Sequence, residues 1–236
     1  MRRPLALLLS LFALAAVART TPLDLVIKEG VETRIACDHN GGYSKYADVY
    51  HYRVVLPKGY HADANKTWPA IFVASPGGKA SMGHMADWIK KRGYIALLLD
   101  ESKNGPWDPS VGNFLAANQD AEQRFRLTPG RKICTGFSGG ARASSIFVSI
   151  GDNFGGVILQ GAGTGALDNG FRGLTGVQIP VVVTMGKKDT NRGEIKTLRE
   201  TQGDRLEVFE FEGGHQWAPK EVIEKALDFV DAKLPK

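Results

Sequence analysis

From residue 68 to the end of the chain, short apolar runs alternate with stretches of helical periodicity. The predicted strands of this region are Trp68–Ala74, Tyr94–Leu99, Arg131–Phe137, Asn153–Gln160, Gln178–Met185 and Arg205–Phe211. The predicted helices are Ser81–Arg92, Asn113–Leu127, Gly139–Ser149, Arg192–Gln202 and Pro219–Leu234. Continuous apolar strands separated by helices predict an α/β domain, in which helices cover both faces of a mainly parallel sheet.

The part of the chain before residue 68 is less regular. Short strands are predicted over Asp24–Ile27 and Glu32–Ala36, and a longer one over Asp48–Leu56, which alternates and stops at a proline. Further along, Glu101–Gly112 is predicted to be a loop, because it contains Gly105, Pro106 and Pro109. Gly161–Gly176 is rich in glycine and is expected to be irregular.

The first 18 residues have the layout of a secretory signal peptide. Arg2 and Arg3 give a basic start, Leu5–Val17 is apolar apart from one serine, and a small-x-small site predicts cleavage after Ala18. The apolar run has about 13 residues and a spanning helix needs about 20, which disfavours an uncleaved anchor. We therefore expect a signal peptide over residues 1–18, one domain over 19–236, a secreted or periplasmic location, and no membrane span after cleavage.

Charge and cysteine content exclude some function classes. The net charge of +5 falls to +3 once the signal peptide is removed. The basic residues are scattered, without a run interleaved with aromatics, so no nucleic-acid partner is expected. Only Cys37 and Cys134 are present, without zinc-site spacing, and Cys134 lies in a predicted buried strand. We expect no metal; the redox state of the two thiols and the oligomeric state stay open.

A G-x-S-x-G motif at Gly136–Gly140 lies between a predicted strand and a predicted helix. In that context, a sharp turn lifts the Ser138 hydroxyl above the sheet edge, and the flanking positions must be small because the strand and helix backbones nearly touch. A glycine-rich phosphate-binding turn is the alternative. However, neither G-x-G-x-x-G nor a G-K-[ST] ending occurs. The motif predicts Ser138 to be a nucleophile, with the Gly139 N–H as an oxyanion donor.

A nucleophilic serine needs a base and an acid that orients the base. His215 follows the last predicted strand, whereas the other four histidines precede Ser138. Asp189 follows the preceding strand, so the chain order is Ser, Asp, His. Asp168 is the alternative acid. These placements predict Ser138, Asp189 and His215 as catalytic residues.

The second oxyanion donor is expected from the loop after the Trp68–Ala74 strand, which reads Ser75–Lys79. A glycine there lets the backbone approach a substrate closely, so Gly78 is the predicted donor, with Lys79 next. Lys79 is also a candidate substrate contact. A simple turn is the alternative interpretation of this loop.

Together these motifs resemble the α/β-hydrolase superfamily from about Asp48 to the C-terminus. The segments Val54–Tyr60, Pro76–Gly78 and Gly136–Gly140 are similar to the secreted esterase branch related to polyhydroxybutyrate depolymerase and feruloyl esterase domains. The resemblance implies the α/β-hydrolase fold, with a mostly parallel eight-stranded sheet and one antiparallel strand near the start. It also implies ester hydrolysis without a cofactor. Pro76 departs from the histidine that many relatives carry before the glycines.

The expected substrate is a small-molecule or polymeric ester. Trp107 and Trp217 are candidate substrate contacts, although ordinary packing is the favoured explanation for both. The short segment before Gln178 predicts a minimal lid and an open site. Two alternatives remain, namely a peptidase of the prolyl oligopeptidase type and a non-catalytic binding protein that retains the fold.

Overall fold

A computed structural model describes residues 20–38, 42 and 46–236 of the chain. The predicted signal peptide lies outside the described residues, so its cleavage and the export of the chain stay predictions. In the described part, no helix has both the length and the apolar character needed to traverse a bilayer.

Eight strands form one sheet in the order β1-β2-β4-β3-β5-β6-β7-β8. In chain order they are β1 (Thr33–Ala36), β2 (His51–Val55), β3 (Trp68–Ala74), β4 (Ile95–Leu99), β5 (Leu127–Phe137), β6 (Phe154–Gln160), β7 (Val181–Gly186) and β8 (Leu206–Phe211). Strand β2 is antiparallel to both of its neighbours, and the other neighbours from β4 to β8 pair in parallel. The predicted mostly parallel sheet with an antiparallel strand near the start is confirmed.

Helices pack on both faces of this sheet. They are α1 (Ala86–Arg92), which follows one 3₁₀ turn, α2 (Trp107–Arg124), α3 (Gly139–Ile150), α4 (Glu194–Gln202) and α5 (Lys220–Asp231). Apolar side chains of α1 and α5 form one core layer with the sheet, and those of α2, α3 and α4 form the other. Because β3, β4, β6, β7 and the second half of β5 are covered on both faces, they are apolar almost throughout, whereas the first half of β5 is polar and half-buried.

The strand predicted over Asp24–Ile27 is wrong. Leu25 donates its N–H to the Pro22 carbonyl in a turn, and the nearest ladder contact is an isolated bridge between Glu29 and Leu56. Only Ile27 is buried in this segment, while the side chains before it face solvent. One buried anchor does not give the alternating face on which a strand depends.

The loop predicted over Glu101–Gly112 ends early, because α2 begins at Trp107. Pro109 lies in the first turn of this helix, where a residue without an N–H loses no intrahelical hydrogen bond. The prediction that Trp107 lies on a loop is therefore wrong. Trp107 is the first residue of α2, half-buried and packed against the core.

The segment between β6 and β7 folds as turns against α3. Leu174 donates its N–H to the Ser145 carbonyl, and Gly165 and Gly173 pack so closely on α3 that neither position has room for a Cβ. The segment therefore lies on the helix and forms no separate lid, in agreement with the expected open site.

Candidate active site

Ser138 lies in the tight turn between β5 and α3, with φ 53° and ψ −115°. A non-glycine residue in this region of backbone space is strained, and such strain is concentrated at functional sites. A Cβ on Gly136 would lie 2.5 Å from the Ala74 carbonyl oxygen, and one on Gly140 would lie 2.6 Å from the Ala74 carbonyl carbon. The predicted requirement for small residues around Ser138 is confirmed, since β3, β5 and α3 meet here backbone against backbone.

The three predicted catalytic side chains lie in one hydrogen-bonded line. The Nε2 atom of His215 is 2.9 Å from Ser138 Oγ, and its Nδ1 atom is 3.0 Å from each carboxylate oxygen of Asp189. An ionised carboxylate only accepts hydrogen bonds, so Nδ1 carries the proton and Nε2 is left to accept the hydroxyl proton of Ser138. The structure therefore brings together a hydroxyl, an imidazole and a carboxylate from three loops that are distant in sequence.

The loops that carry Asp189 and His215 are joined to each other by backbone contacts. Lys187 donates its N–H to the Phe211 carbonyl and Lys188 donates to the Gly213 carbonyl, both at 2.9 Å. A Cβ on Gly186 would lie 2.7 Å from the Gly213 carbonyl oxygen, so the two loops are in direct contact. The spacing of acid and base is thereby fixed before any substrate arrives.

Burial differs along this line. The side chain of Asp189 is fully buried, while that of His215 is 35% exposed. The Asn191 N–H donates to Asp189 Oδ1 at 2.8 Å, which offsets part of the cost of burying the carboxylate. The acid is thus fixed inside the protein, and the imidazole and the serine hydroxyl remain open to a substrate.

The predicted oxyanion donors have different surroundings. Gly139 is the first residue of α3, so its N–H has no partner within the helix and lies at the positive end of the helix dipole. The Gly78 N–H, in contrast, donates to the Ser75 carbonyl at 3.1 Å, and the Lys79 N–H donates to the Asp100 carbonyl at 2.9 Å. In this conformation neither amide is free, so the structure does not support the donor role predicted for Gly78.

A small apolar cavity of about 200 Å³ adjoins the site. Met82, Met85, Trp217 and Ile223 provide most of its apolar lining. The Trp217 ring also packs against Phe137, 5.3 Å away, and Phe137 in turn lies 4.7 Å from the His215 ring. Trp217 thus lies between the small cavity and Phe137, whereas Trp107 packs against the core and Lys79 is exposed on the loop after β3.

A larger cavity, of about 690 Å³, lies beside α4 and the segment between β6 and β7. Its lining includes Arg142, Arg172 and Glu194 but none of the three aligned side chains. Arg142 and Glu194 pair with each other, with Arg142 Nη2 2.5 Å from Glu194 Oε1. The smaller cavity is not lined by the three aligned side chains either, but its lining includes Gln160, whose carbonyl accepts the Ser138 N–H, and Trp217, whose ring packs on Phe137 beside Ser138.

Three residues near Ser138 were not singled out from the sequence. Gln160 accepts the Ser138 N–H on its carbonyl at 2.8 Å and lines the small cavity, and Phe137 packs against His215. Phe137 is the variable position of the motif directly before Ser138, so the sequence could have indicated that it lies at the site. Gln160 ends β6, the strand paired with β5. Asn104 lies against Gly139, and its sequence context carries no signal for this position.

Solved structures that superpose on this chain include hydrolases of low sequence identity. No protein-family model and none of the curated proteins compared matches this chain. A ferulic acid esterase superposes with a TM-score of 0.63 at 14% identity, covering 86% of this chain and 97% of the esterase. An S-formylglutathione hydrolase from Staphylococcus aureus gives 0.62 at 14% identity, covering 87% and 99%. An acylaminoacyl peptidase from Pyrococcus horikoshii gives 0.63 at 13% identity, but this chain covers only 43% of it. These similarities show the α/β-hydrolase fold.

Proposed function

We propose that this chain is a serine hydrolase that cleaves carboxylic esters through an acyl-enzyme intermediate. The observation that carries the proposal is the line from Ser138 through His215 to the buried carboxylate of Asp189. The strained turn at Ser138 and the free N–H of Gly139 support it, because acyl transfer needs both an exposed nucleophile and an anion-stabilising donor. The fold shared with esterases over nearly their whole length adds support.

The reaction proceeds in two steps, acylation of Ser138 and hydrolysis of the acyl-enzyme. His215 Nε2 takes the proton of Ser138 as the hydroxyl oxygen attacks the ester carbonyl, and the proton then passes to the departing alcohol. The carbonyl oxygen carries the negative charge of the tetrahedral intermediate beside the Gly139 N–H. Water then repeats the sequence on the acyl-enzyme and releases the carboxylic acid. Asp189 holds the imidazole in the tautomer that this requires and stabilises its protonated form.

The small cavity supports a short acyl group or a single ring as the bound part of the substrate. At about 200 Å³ it is smaller than the 300–1,000 Å³ typical of sites for drug-sized ligands. Its thioether and indole lining favours apolar groups, and the exposed rim around His215 leaves the alcohol side open. A polymeric ester with a compact acyl unit and a free small ester both meet these limits, and the predicted export of the chain fits an extracellular ester.

A peptidase activity is the second candidate, because an acylaminoacyl peptidase shares the fold. This chain covers less than half of that protein, so it matches only one part of a longer chain. Comparing turnover of p-nitrophenyl acetate with that of an N-acetyl-alanine p-nitroanilide separates the two activities. For each substrate, the rate enhancement is the enzymatic rate divided by the uncatalysed rate. The ester proposal requires this enhancement to be about 100-fold or more larger for the ester than for the anilide.

The proposal is tested by replacing the nucleophile. In Ser138→Ala we expect turnover of p-nitrophenyl acetate to fall by about 10⁴-fold or more and labelling by a fluorophosphonate probe to disappear, because no oxygen remains to attack. Ser144→Ala is the matched control, because it removes a buried hydroxyl from α3, the helix that begins after Ser138. This variant should keep both signals. Labelling that persists in Ser138→Ala, or a wild-type protein that neither hydrolyses nor labels, would defeat the proposal.

A further inference from the structure

The side chain of Asn104 lies directly against the turn that carries the nucleophile. A Cβ built on Gly139 would overlap Asn104 Oδ1 and would lie 2.8 Å from Cγ and 3.6 Å from Nδ2. Gly139 is the residue whose N–H is expected to face the developing oxyanion. The carboxamide of Asn104 is therefore a side-chain polar group in contact with the residue that carries the backbone donor.

Backbone contacts fix the loop that presents Asn104. The Asn104 N–H donates to the Pro76 carbonyl at 2.8 Å, and the neighbouring Lys103 forms an antiparallel bridge with Gly77. On the other side, the Ser110 hydroxyl of α2 donates to the Lys103 carbonyl at 3.3 Å. The loop is thus held between the segment after β3 and the start of α2, which gives the carboxamide a defined position before a substrate binds.

The carboxamide is available to a ligand. No hydrogen bond joins it to another residue in the described part of the chain, and Asn104 is exposed. The backbone amides of Gly78 and Lys79, where a second oxyanion donor was predicted, already donate to carbonyls within the protein. A half-turn about the Cβ–Cγ bond of Asn104 exchanges Oδ1 and Nδ2, so the NH₂ group reaches the contact with Gly139 without any movement of the backbone.

We propose that Asn104 is a catalytic residue that donates the second oxyanion hydrogen bond from Nδ2, beside the Gly139 N–H. This inference rests on the proposed ester hydrolysis, because it assigns a donor to the tetrahedral intermediate of that reaction. The carbonyl oxygen gains negative charge as Ser138 attacks, and a side-chain amide next to Gly139 stabilises that charge more than it stabilises the neutral ester.

Three single variants test the donor. In Asn104→Ala we expect kcat for p-nitrophenyl acetate to fall about 100- to 1,000-fold, the usual loss for one oxyanion donor, with KM changed less than threefold. Asn104→Asp keeps the shape but places a carboxylate beside the oxyanion, so its kcat should be no higher than that of the alanine variant. Lys103→Ala, one residue away in the same loop, should keep wild-type kcat. The rate of fluorophosphonate labelling should fall in parallel with kcat.

The contact with Gly139 provides a second, independent test. In Gly139→Ala the new methyl group displaces the carboxamide, so kcat should fall at least tenfold. In the double variant Asn104→Ala/Gly139→Ala, the second substitution should cost less than threefold, because the group that it displaces is already absent. Additive losses would show that the two residues act independently and would overturn the inference.

The outcomes separate the two proposals. Wild-type kcat in Asn104→Asp, or an equal loss in Lys103→Ala, overturns the role of Asn104 and leaves ester hydrolysis standing. A loss seen only as a lower thermal unfolding midpoint, with kcat per folded molecule unchanged, overturns it as well. A wild-type protein without turnover and without labelling defeats the hydrolase proposal, and the donor role with it.

Discussion

The two sides of the candidate site are built in different ways. On the acid–base side, formed by residues 186–189 and 213–215, the loops follow adjacent parallel strands and bond to each other, with the Asp189 carboxylate fully buried. On the oxyanion side, formed by residues 75–79 and 100–105, the loops also bond to each other, but the expected backbone donors are used up in bonds within the protein and the Asn104 side chain is exposed.

This difference indicates how each side tolerates change. Strand ends that are neighbours in a parallel sheet bring their loops together automatically, so the acid–base side depends on the sheet. The loops after β3 and β4 also leave adjacent strands, but which polar group faces the substrate depends on how the loops fold onto each other. We therefore expect replacement of the buried acid Asp189 to lower kcat more than replacement of Asn104 does.

Asp189→Asn should lower kcat by about 10⁴-fold, because an amide that donates to Nδ1 holds the imidazole in the wrong tautomer for accepting the Ser138 proton. Steady-state turnover of p-nitrophenyl acetate measures the loss, and circular dichroism checks the fold. Asp168→Asn changes the exposed alternative acid and should retain full activity. If instead the Asp168 variant were the inactive one, the acid would have to be reassigned.

Gly186→Ala tests the contact between the acid and base loops. The added Cβ would lie 2.7 Å from the Gly213 carbonyl oxygen and would push the His215 loop away. We expect kcat to fall about 10- to 100-fold from misplacement of the imidazole, and stability to fall by about 1–3 kcal/mol. Gly193→Ala has open space around the new Cβ and is the control for denaturant unfolding and turnover. Equal turnover and stability in the two variants would show that this contact does not position His215.

Trp217→Ala should have the smallest effect on acetate and a visible one on selectivity. Removing the indole enlarges the small cavity, so the ratio of kcat/KM for p-nitrophenyl hexanoate over acetate should rise about tenfold. Trp107→Ala removes a ring that packs against the core, so it should lower the unfolding midpoint and leave that ratio unchanged. A ratio shifted by the Trp107 variant alone would return that residue to the list of substrate contacts.

Much of the fold was predictable because burial on two faces leaves a clear mark on a strand. The six strands predicted from Trp68–Ala74 to Arg205–Phe211 are all strands in the structure, and only the edge strand β8 lacks burial on both faces. The failures occurred where local signals compete with packing. Prolines predicted a loop where α2 begins, although a proline is harmless in the first turn of a helix. Apolar residues predicted a strand over Asp24–Ile27, where a turn takes the backbone instead.

The sequence by itself was enough to select Ser138, Asp189 and His215 as the candidate residues. Each of them follows a strand that the hydrophobic pattern predicts, and their order along the chain fits the three roles. Only the tertiary structure decided which donors surround the nucleophile. A bond within its own loop engages the Gly78 amide, a bond to the neighbouring loop engages the Lys79 amide, and Asn104 lies against Gly139. Contacts between distant loops depend on three-dimensional packing and leave no periodic signal in the chain, and for this reason the oxyanion side could not be derived from sequence.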